Sequence, residues 1–253
     1  MIDIHAHILP GLDDGPATLG ESLAMLRIAR ETGTTDIVAT PHASLEYRFD
    51  PPLVVRKAAE LRSAAGDLPR IHTGCDLHLS FENIQDALAN PALYTINQRG
   101  YLLVEFSDLA IVNRIEQVIA RMREAGMTPV ITHPERNWLL QQRLERLQEW
   151  VSLGCTLQVT AQSLSGRFGR EAAMFARELL DRNLVHFIAS DAHDPEDRTP
   201  RLDVAWRWVA RRYGAERADA LLIANPKAAL SGDPVQTPPA GRRRRLWPSW
   251  LWC

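Results

Sequence analysis

Cysteine is scarce in this chain of 253 residues, which contains only Cys75, Cys155 and Cys253. The three are odd in number and widely spaced, which excludes a disulfide framework and a Cys-x-x-Cys metal site. A phosphatase loop of the Cys-x5-Arg kind is also absent, because the required arginine position is Phe81 after Cys75 and Ala161 after Cys155. This use of cysteine indicates a reducing compartment, and we expect a cytoplasmic protein.

Long hydrophobic runs are missing as well. No apolar stretch approaches the ~18 residues of a membrane-spanning helix, and the first residues lack the basic and apolar regions of a secretory signal. The net charge is only -2, so we expect no nucleic-acid partner. Hydrophobic residues make up 45% and charged residues 24% of the chain, which excludes a disordered protein and is typical of a globular one.

Short apolar runs alternate with longer helical patterns, which indicates an α/β fold with parallel strands. Seven such units, with several strand ends feeding one site, favour a closed barrel over an open sheet. The predicted strands are Ile2–His5, Asp36–Thr40, Arg70–Gly74, Tyr101–Phe106, Thr128–Thr132, Cys155–Thr160 and Val185–Ser190. The predicted helices are Leu19–Glu31, Leu53–Ala65, Glu82–Asn90, Asn113–Ala125, Gln141–Leu153, Arg170–Arg182, Pro200–Tyr213 and Glu216–Ala224.

The alternating pattern covers residues 1–231, which we predict to form one domain. Residues 232–253 begin with a linker-like stretch and continue with Arg242 to Arg245 and the tryptophans Trp247, Trp250 and Trp252. Basic charge combined with tryptophan is typical of contact with an anionic membrane surface. A flexible, disordered terminus explains the same composition equally well, so both interpretations stay open.

Histidines and acidic residues follow six of the seven predicted strands at their carboxyl ends. In a parallel barrel this is the edge where active sites form. A chance distribution would scatter the histidines over helices, loops and strand starts, so the pattern favours a metal centre. Nitrogen and oxygen ligands without thiolates suit zinc, manganese or iron(II). The candidate ligands are His5, His7, His42, Asp76, Glu105, His133, Asp191 and His193.

Eight ligands are too many for one tetrahedral ion and suit two or three divalent ions. Ions that lie ~3.5–4 Å apart activate a bridging water and stabilise in-line displacement at phosphorus. Arg136 and Arg198 follow two of the candidate ligands closely in sequence. Guanidinium groups bind phosphate through two parallel hydrogen bonds. Together, the ligands and the arginines predict hydrolysis of a phosphate ester by attack of a metal-bridged hydroxide on phosphorus.

A general acid is less evident. Asp14 and Asp194 are candidates, but Asp14 lies in an Asp-Asp-Gly turn and is equally suited to hold a metal ligand in place. A phenolate leaving group, whose pKa is near ~10, can also take its proton from water.

Several segments together resemble a known superfamily. They are Asp3-Ile-His-Ala-His7 with Ile-Leu-Pro-Gly-Leu-Asp-Asp-Gly-Pro, then Thr-Pro-His42, Val-Glu105-Phe-Ser, Thr-His133-Pro-Glu-Arg136 and Ser-Asp191-Ala-His193. Their order and spacing over residues 1–230 resemble the polymerase-and-histidinol-phosphatase (PHP) superfamily. Within it, the sequence is most similar to the manganese-dependent tyrosine-protein phosphatases of bacterial capsule and exopolysaccharide loci.

This resemblance implies a distorted, seven-stranded, TIM-like α/β barrel with three metal ions. It implies manganese as the metal, with iron or zinc as alternatives, and assigns ligand and phosphate-binding roles to the residues named above. The implied substrate is phosphotyrosine in the tail of a membrane-associated bacterial tyrosine kinase that controls polysaccharide export. The protein would then act in the cytoplasm, at the inner face of the membrane.

One position departs from the family pattern, because Asp76 stands where a glutamate is usual. Aspartate is one methylene shorter, so bridging two ions from this position requires a shift or leaves one ion weakly bound. His78 is a candidate for a compensating ligand, although we expect it to face outwards at the surface.

Two alternative functions stay open. One is a phosphatase for histidinol phosphate or another small phosphate monoester, built on the same metal centre. The other is a non-catalytic, metal-stabilised docking protein, against which the two arginines argue. An amidohydrolase often bridges its metals with a carboxylated lysine. It is disfavoured here, because Lys57 lies in a predicted helix and Lys227 lies near the end of the chain.

Overall fold

The computed structural model describes residues 1–237, so the predictions for the arginines and tryptophans of the tail lie outside the described residues. Its strands are β1 Ile2–Ala6, β2 Asp36–Ala39, β3 His42–Ala43, β4 Arg70–Thr73, β5 Asp76–His78, β6 Tyr101–Glu105, β7 Thr128–Thr132, β8 Thr156–Thr160 and β9 Phe187–Ala189. Its α-helices are α1 Leu19–Glu31, α2 Pro51–Ala65, α3 Phe81–Ala89, α4 Pro91–Tyr94, α5 Ile115–Glu124, α6 Trp138–Gln141, α7 Leu144–Ser152, α8 Gly169–Asp181, α9 Asp203–Tyr213, α10 Ala215–Asp219 and α11 Asn225–Ser231. Short 3-10 segments cover Ile96–Gln98 and Ala161–Ser165, and a π-helical turn covers Ala220–Ala224.

All strand pairs are parallel, which confirms the predicted α/β class. One sheet has the order β1-β2-β4, and the other has the order β3-β5-β6-β7-β8-β9. The chain passes directly from β2 into β3 and from β4 into β5, so the two sheets continue one another. Beyond the end of β9, the Asp191 amide donates to the carbonyl of His5 at 2.8 Å, and Ala192 bridges to Ala6. The pairing therefore returns to β1 in a barrel-like circuit.

Several strand and helix ends differ from the prediction by one to three residues, α4 was not predicted, and three further differences change which elements are present. Nine strands are found within residues 1–237 instead of seven, because Thr40-Pro41 and Gly74-Cys75 interrupt the ladders and separate the short β3 and β5. The predicted helix Gln141–Leu153 is broken at Arg143, whose backbone is not helical. The last predicted helix continues past Ala224 to Ser231, since Pro226 falls in the first turn of α11, where proline is tolerated.

Burial of the strands in the core explains why their sequences are continuous apolar runs. Every residue of β1 and of β8 is buried, as expected for strands that are covered on both faces. One buried cluster draws side chains from strands of both sheets and thereby joins them: it contains Ile4, Val38, Leu103, Val130 and Phe187. The other two clusters bring together strand residues and the apolar faces of the helices.

Within the described residues, none of the helices combines the length and the apolar character that a membrane crossing requires.

Candidate metal centre

The predicted metal ligands converge at one edge of the barrel-like circuit, beyond the carboxyl ends of the strands. His5 and His7 lie at the end of β1, two residues apart, and their Nε2 atoms are separated by 3.3 Å. Glu105 ends β6, two residues after Leu103 of the inner cluster, so both belong to the same face of the strand. The structure brings together all of the predicted ligands: His5, His7, His42, Asp76, Glu105, His133, Asp191 and His193.

The first set of donor atoms comprises His5, His7 and Asp76, and a second set, which shares His5, adds His133 and Asp191. The Nε2 atom of His5 lies 3.6 Å from Asp76 Oδ2 and 3.4 Å from Asp191 Oδ1. The Nε2 atom of His7 lies 3.6 Å from the same Asp191 oxygen. Two ligands that each bind one ion at about 2.1 Å must lie about 3–3.5 Å apart. The observed separations therefore suit donors grouped around a common ion.

Two further donor sets adjoin the first and share residues with it. Within each set, the donor atoms lie within 4.8 Å of one another; the sets are Asp76, Glu105 and His133, and His7, Asp14, His42 and His193. In the second of these, Asp14 Oδ1 lies 3.4 Å from His42 Nε2 and 3.3 Å from His193 Nε2. The arrangement thus offers donors for more than one ion.

Orphaned polar atoms show that these residues fit a group of divalent ions. Asp76 is fully buried, and among the described residues neither of its carboxylate oxygens has a hydrogen-bond partner. The same is true of Glu105 Oε2 and His42 Nδ1. A buried carboxylate without a compensating partner is strongly disfavoured. Cations would supply the compensation, and imidazole with carboxylate is a ligand combination that zinc, manganese and iron accept.

The two histidines of β1 lie in opposite electrostatic environments. Burial lowers the pKa of His7 to about 4, and the neighbouring His193 adds to this effect. Burial also acts on His5, but the carboxylates of Asp76 and Asp191 outweigh it and raise the pKa of His5 to about 9. A metal ligand must be a neutral imidazole, so an ion bound at His5 would have to displace a proton.

The two predicted phosphate-binding arginines meet at Asp191. Arg136 Nη1 and Arg198 Nη2 both contact Asp191 Oδ2, the latter at 2.7 Å. The guanidinium carbons of Arg136 and Arg198 lie 4.2 Å and 6.0 Å from the ring centroid of Phe168. Each arginine side chain is 24% exposed, so the pair lies at the open rim of the cluster.

Two residues that the sequence did not single out hold the ligand rings in place. Asp13 Oδ2 contacts His7 Nδ1 at 2.7 Å and accepts a hydrogen bond from the His42 amide at 3.1 Å. Gln158 Oε1 contacts His5 Nδ1 at 3.0 Å. Such contacts turn Nε2 of each ring towards the cluster. The signal for Gln158 was its amide between Leu157 and Val159 in the middle of a buried strand.

The two candidate acids prove to differ. Asp14 does not hold a ligand ring in place through its outer nitrogen atom. Its carboxylate instead faces the Nε2 atoms of His42 and His193 inside a donor set. Burial opposes ionisation of Asp14, but contacts with His193 and His42 hold its pKa below the usual range. Asp194 instead accepts hydrogen bonds from the amides of Glu196 and Arg198 and thereby shapes the loop that carries Arg198.

Two further buried carboxylates, which the sequence analysis passed over, join neighbouring strands near the cluster. Asp3 accepts a hydrogen bond from the Ser190 amide at 3.0 Å, and burial raises its pKa to about 6. Glu135 accepts hydrogen bonds from the Thr160 amide at 2.9 Å and from the Ser163 hydroxyl at 2.7 Å, and burial raises its pKa to about 7. Both tie the loops that carry candidate ligands to adjacent strands.

Backbone strain marks two of the candidate ligands. His133 has a φ angle of 30° and Asp191 a φ angle of 51°, although neither is glycine. The left-handed region costs about 1–2 kcal/mol for such residues. Strain of this kind persists where the surroundings impose it and is concentrated at functional sites. Here it turns each side chain from the end of its strand into the cluster.

We expected His78 to face outwards at the surface, but although 36% of its side chain is exposed, its ring is directed at Glu105. Its Nε2 atom lies 2.5 Å from Glu105 Oε2, and its donor atoms group with those of His42 and Glu105.

Comparison with known proteins adds independent information. The family model for capsular polysaccharide synthesis proteins of the CpsB/CapC type matches residues 1–231. The tyrosine-protein phosphatase YwqE of Bacillus subtilis is 34% identical over 253 residues, which cover 98% of this chain and 99% of YwqE. The tyrosine-protein phosphatase CpsB of Streptococcus pneumoniae is 33% identical over 91% of this chain and 98% of its own length.

The fold is similar to a solved structure as well. A structure from work on YwqE and CpsB, there called unique metal-dependent tyrosine phosphatases, superposes with a TM-score of 0.87 at 32% identity. The superposition covers 96% of this chain and all of the other.

Proposed function

Because this chain belongs to the CpsB/CapC family of capsular polysaccharide synthesis proteins, we propose that it is a metal-dependent protein-tyrosine phosphatase. The observation that carries the proposal is the meeting of buried donor sets and two arginines at one carboxylate, Asp191. Its Oδ1 atom faces His5 and His7, and its Oδ2 atom faces Arg136 and Arg198. A phosphoryl group bound by the arginines would therefore lie beside the metal donors.

The predicted ligands would hold the ions, and Asp14 joins them because of its position between His42 and His193. Divalent ions in such a centre supply a nucleophile from water and neutralise charge on the phosphoryl oxygens. The arginines orient the phosphoryl group through paired hydrogen bonds and stabilise its charge in the transition state. Asp13 and Gln158 keep the histidine rings in register. Manganese is the metal we propose, in two or three positions.

The openness of the rim favours a tyrosine in a polypeptide over a small ester. The Asp14 side chain is 44% exposed, and a cavity of about 540 Å³ beside Arg136 is lined by Trp138 and Phe168. An aromatic leaving group next to the arginines can pack on these rings. We propose phosphotyrosine on a membrane-associated tyrosine kinase of capsule synthesis as the substrate, and the cytoplasmic face of the membrane as the place of action.

The test is a comparison of two substrates on purified protein of known metal content. Turnover of a phosphotyrosine peptide and of histidinol phosphate is measured with Mn²⁺ and with a chelator. We expect chelator-sensitive hydrolysis of the peptide alone. Hydrolysis of histidinol phosphate alone would move the substrate to small esters, and no hydrolysis of either with metal bound would favour a docking protein.

A further inference from the structure

Strand pairing places His78 at the metal centre independently of any side-chain conformation. In β5, Asp76 and His78 are two residues apart and share one face of the strand, as His5 and His7 do at the end of β1. The parallel register sets Asp76 opposite His42 of β3 and His78 opposite Glu105 of β6. His78 therefore has a candidate metal ligand as its neighbour across the ladder and another before it on its own strand.

The contact between His78 and Glu105 joins two groups that can each bind a metal ion. The Nε2 atom of His78 lies 2.5 Å from Glu105 Oε2. An ion bound between them would hold the two atoms about 3–3.5 Å apart, so only a small movement of the His78 side chain would bring both into ligand geometry.

The surroundings supply a further donor and a need for positive charge. The donor atoms of His42, His78 and Glu105 lie within 4.8 Å of one another, and the His42 and His78 rings meet edge to face at 5.9 Å. Asp76, on the same face of β5, is shared by two donor sets, and both of its oxygens lack hydrogen-bond partners among the described residues. Because the short side chain of Asp76 is shared between two donor sets, an ion next to Glu105 has room for another ligand.

We propose that His78 is an additional nitrogen ligand of the metal centre and binds an ion together with Glu105. The inference rests on the proposed metal centre but not on the identity of the substrate. His78 strengthens the binding of the ion next to Glu105, where Asp76 alone supplies the remaining carboxylate from β5.

The affinity for Mn²⁺ tests the proposal without any assay of turnover. His78→Gln removes the imidazole, and His72→Gln is the matched control, because His72 lies on β4 and contacts Asp36 at 3.0 Å, away from the centre. Isothermal titration calorimetry and the manganese content after gel filtration should show one ion bound about tenfold or more weakly in His78→Gln. Binding should be unchanged in His72→Gln. Unchanged binding in His78→Gln would overturn the proposal.

A spectroscopic measurement reports on the bond itself. In Co²⁺-loaded protein, the ring protons of a coordinated histidine shift far outside the normal NMR range. We expect one such set of resonances in the wild type to be absent from His78→Gln and present in His72→Gln. Retention of all shifted resonances in His78→Gln would show that residue 78 does not touch the metal. If His78→Gln does not fold, the histidines of the wild type are labelled with nitrogen-15 and the coordinated rings are counted. Six coordinated rings would support the proposal, whereas five, the number of histidines among the other predicted ligands, would contradict it.

Because both readouts are independent of turnover, they separate this inference from the proposed function. A protein that binds its ions through His78 and hydrolyses no phosphotyrosine would support the inference and contradict the function.

Discussion

At the scale of the residue, Asp191 connects the candidate metal donors with the two arginines that we propose to bind phosphate. Its two oxygens face the two groups separately, Oδ1 towards His5 and Oδ2 towards Arg136 and Arg198. The left-handed backbone at Asp191, with a φ angle of 51°, directs the carboxylate into this position. A single side chain thus fixes the distance between the two arginines and the metal donors.

Substitution of Arg136 by alanine should abolish most of the turnover and leave the metal centre intact. We expect kcat/KM for a phosphotyrosine peptide to fall about 10²–10³-fold, the effect of losing one preorganised donor in a transition state. The manganese content should not change, because Arg198 still donates to Asp191 at 2.7 Å. The exposed Arg146→Ala on α7 is the control. Full activity of Arg136→Ala would refute the assigned role.

Asp13→Ala should weaken metal binding even though Asp13 belongs to none of the donor sets. Its carboxylate fixes the ring of His7 at 2.7 Å and the amide of His42 at 3.1 Å. Loss of such a supporting contact typically lowers metal affinity about 10–100-fold. Titration with Mn²⁺ followed by calorimetry measures the change, and the exposed Asp67→Ala serves as the control. Equal affinities of the two variants would show that the His7 ring needs no support.

At the scale of the element, the turn after β1 is packed tightly against the strand that carries the histidines. A Cβ atom on Gly15 would lie 2.7 Å from the carbonyl oxygen of His7 and 3.0 Å from its Cβ atom. Helix α1 starts directly after this turn, with a reciprocal capping box between Thr18 and Glu21. The start of the helix therefore holds the Asp13-Asp14-Gly15 turn against the ligands.

Two glycines in this region should respond in opposite ways to substitution by alanine. Gly15→Ala should lower the free energy of unfolding by about 1–3 kcal/mol, as overpacking does, and should weaken Mn²⁺ binding through His7. Gly20 lies in α1, where an added Cβ atom would meet only Thr18 Oγ1, at 3.8 Å. Gly20→Ala should therefore raise the free energy of unfolding by about 0.5–1 kcal/mol. Denaturant unfolding of both variants is the measurement. Equal stability of Gly15→Ala and the wild type would contradict the close packing.

At the scale of the whole molecule, the metal centre joins strands that are distant in sequence. Its candidate ligands extend from His5 to His193 and come from β1, β3, β5 and β6 and from the loops after β7 and β9. Ions bound there would stabilise the folded state alone, since the unfolded chain does not assemble the site. Under the proposed function, the centre would therefore be both the reaction site and a link that closes the barrel-like circuit.

Removal of metal should lower the thermal stability of the protein. The buried carboxylate of Asp76 then has only the nearby rings of His5 and His42 to compensate its charge. We expect the Tm to fall in excess chelator and to rise with Mn²⁺ concentration, because ligand at about 100-fold its Kd adds about 2.7 kcal/mol. Differential scanning calorimetry measures both effects. A Tm that is independent of chelator would argue against a structural contribution of the ions.

Acid should destabilise the protein in part through His186, which lies away from the metal centre. Burial lowers its pKa to about 4, and its Nδ1 atom accepts a hydrogen bond from the Leu157 amide at 3.2 Å. The folded state thus favours neutral His186. Its contribution is fully present above the unfolded pKa of about 6.5. It is lost as the pH falls from there towards 4, by an amount on the order of 3 kcal/mol.

The pH dependence of unfolding tests this contribution. His186→Gln should make the free energy of unfolding less steep between pH 6.5 and 4 than in the Mn²⁺-saturated wild type, since glutamine does not titrate. Parallel curves for the two proteins would show that His186 is already able to take up a proton in the folded state.

The family and the fold class were accessible from the sequence alone, and so was the set of side chains that meets at the ends of the strands. Buried parallel strands are continuous apolar runs, so their ends could be located, and chemical groups placed at those ends could be recognised by type. The predicted bounds of α1 and of β7 agree with the structure residue for residue. The assigned roles of the ligands and arginines stay predictions until metal binding and turnover are measured.

The tertiary structure alone decided how these groups are oriented. Strand periodicity does not extend through the breaks before β3 and β5, so the sequence predicted neither strand and did not place His78 beside Glu105. The position of Asp14 beside His193, and the support that Gln158 gives to His5, depend on contacts between residues far apart in the chain. Local pattern determines which chemical groups reach the edge of the strands, whereas long-range packing determines where each atom points.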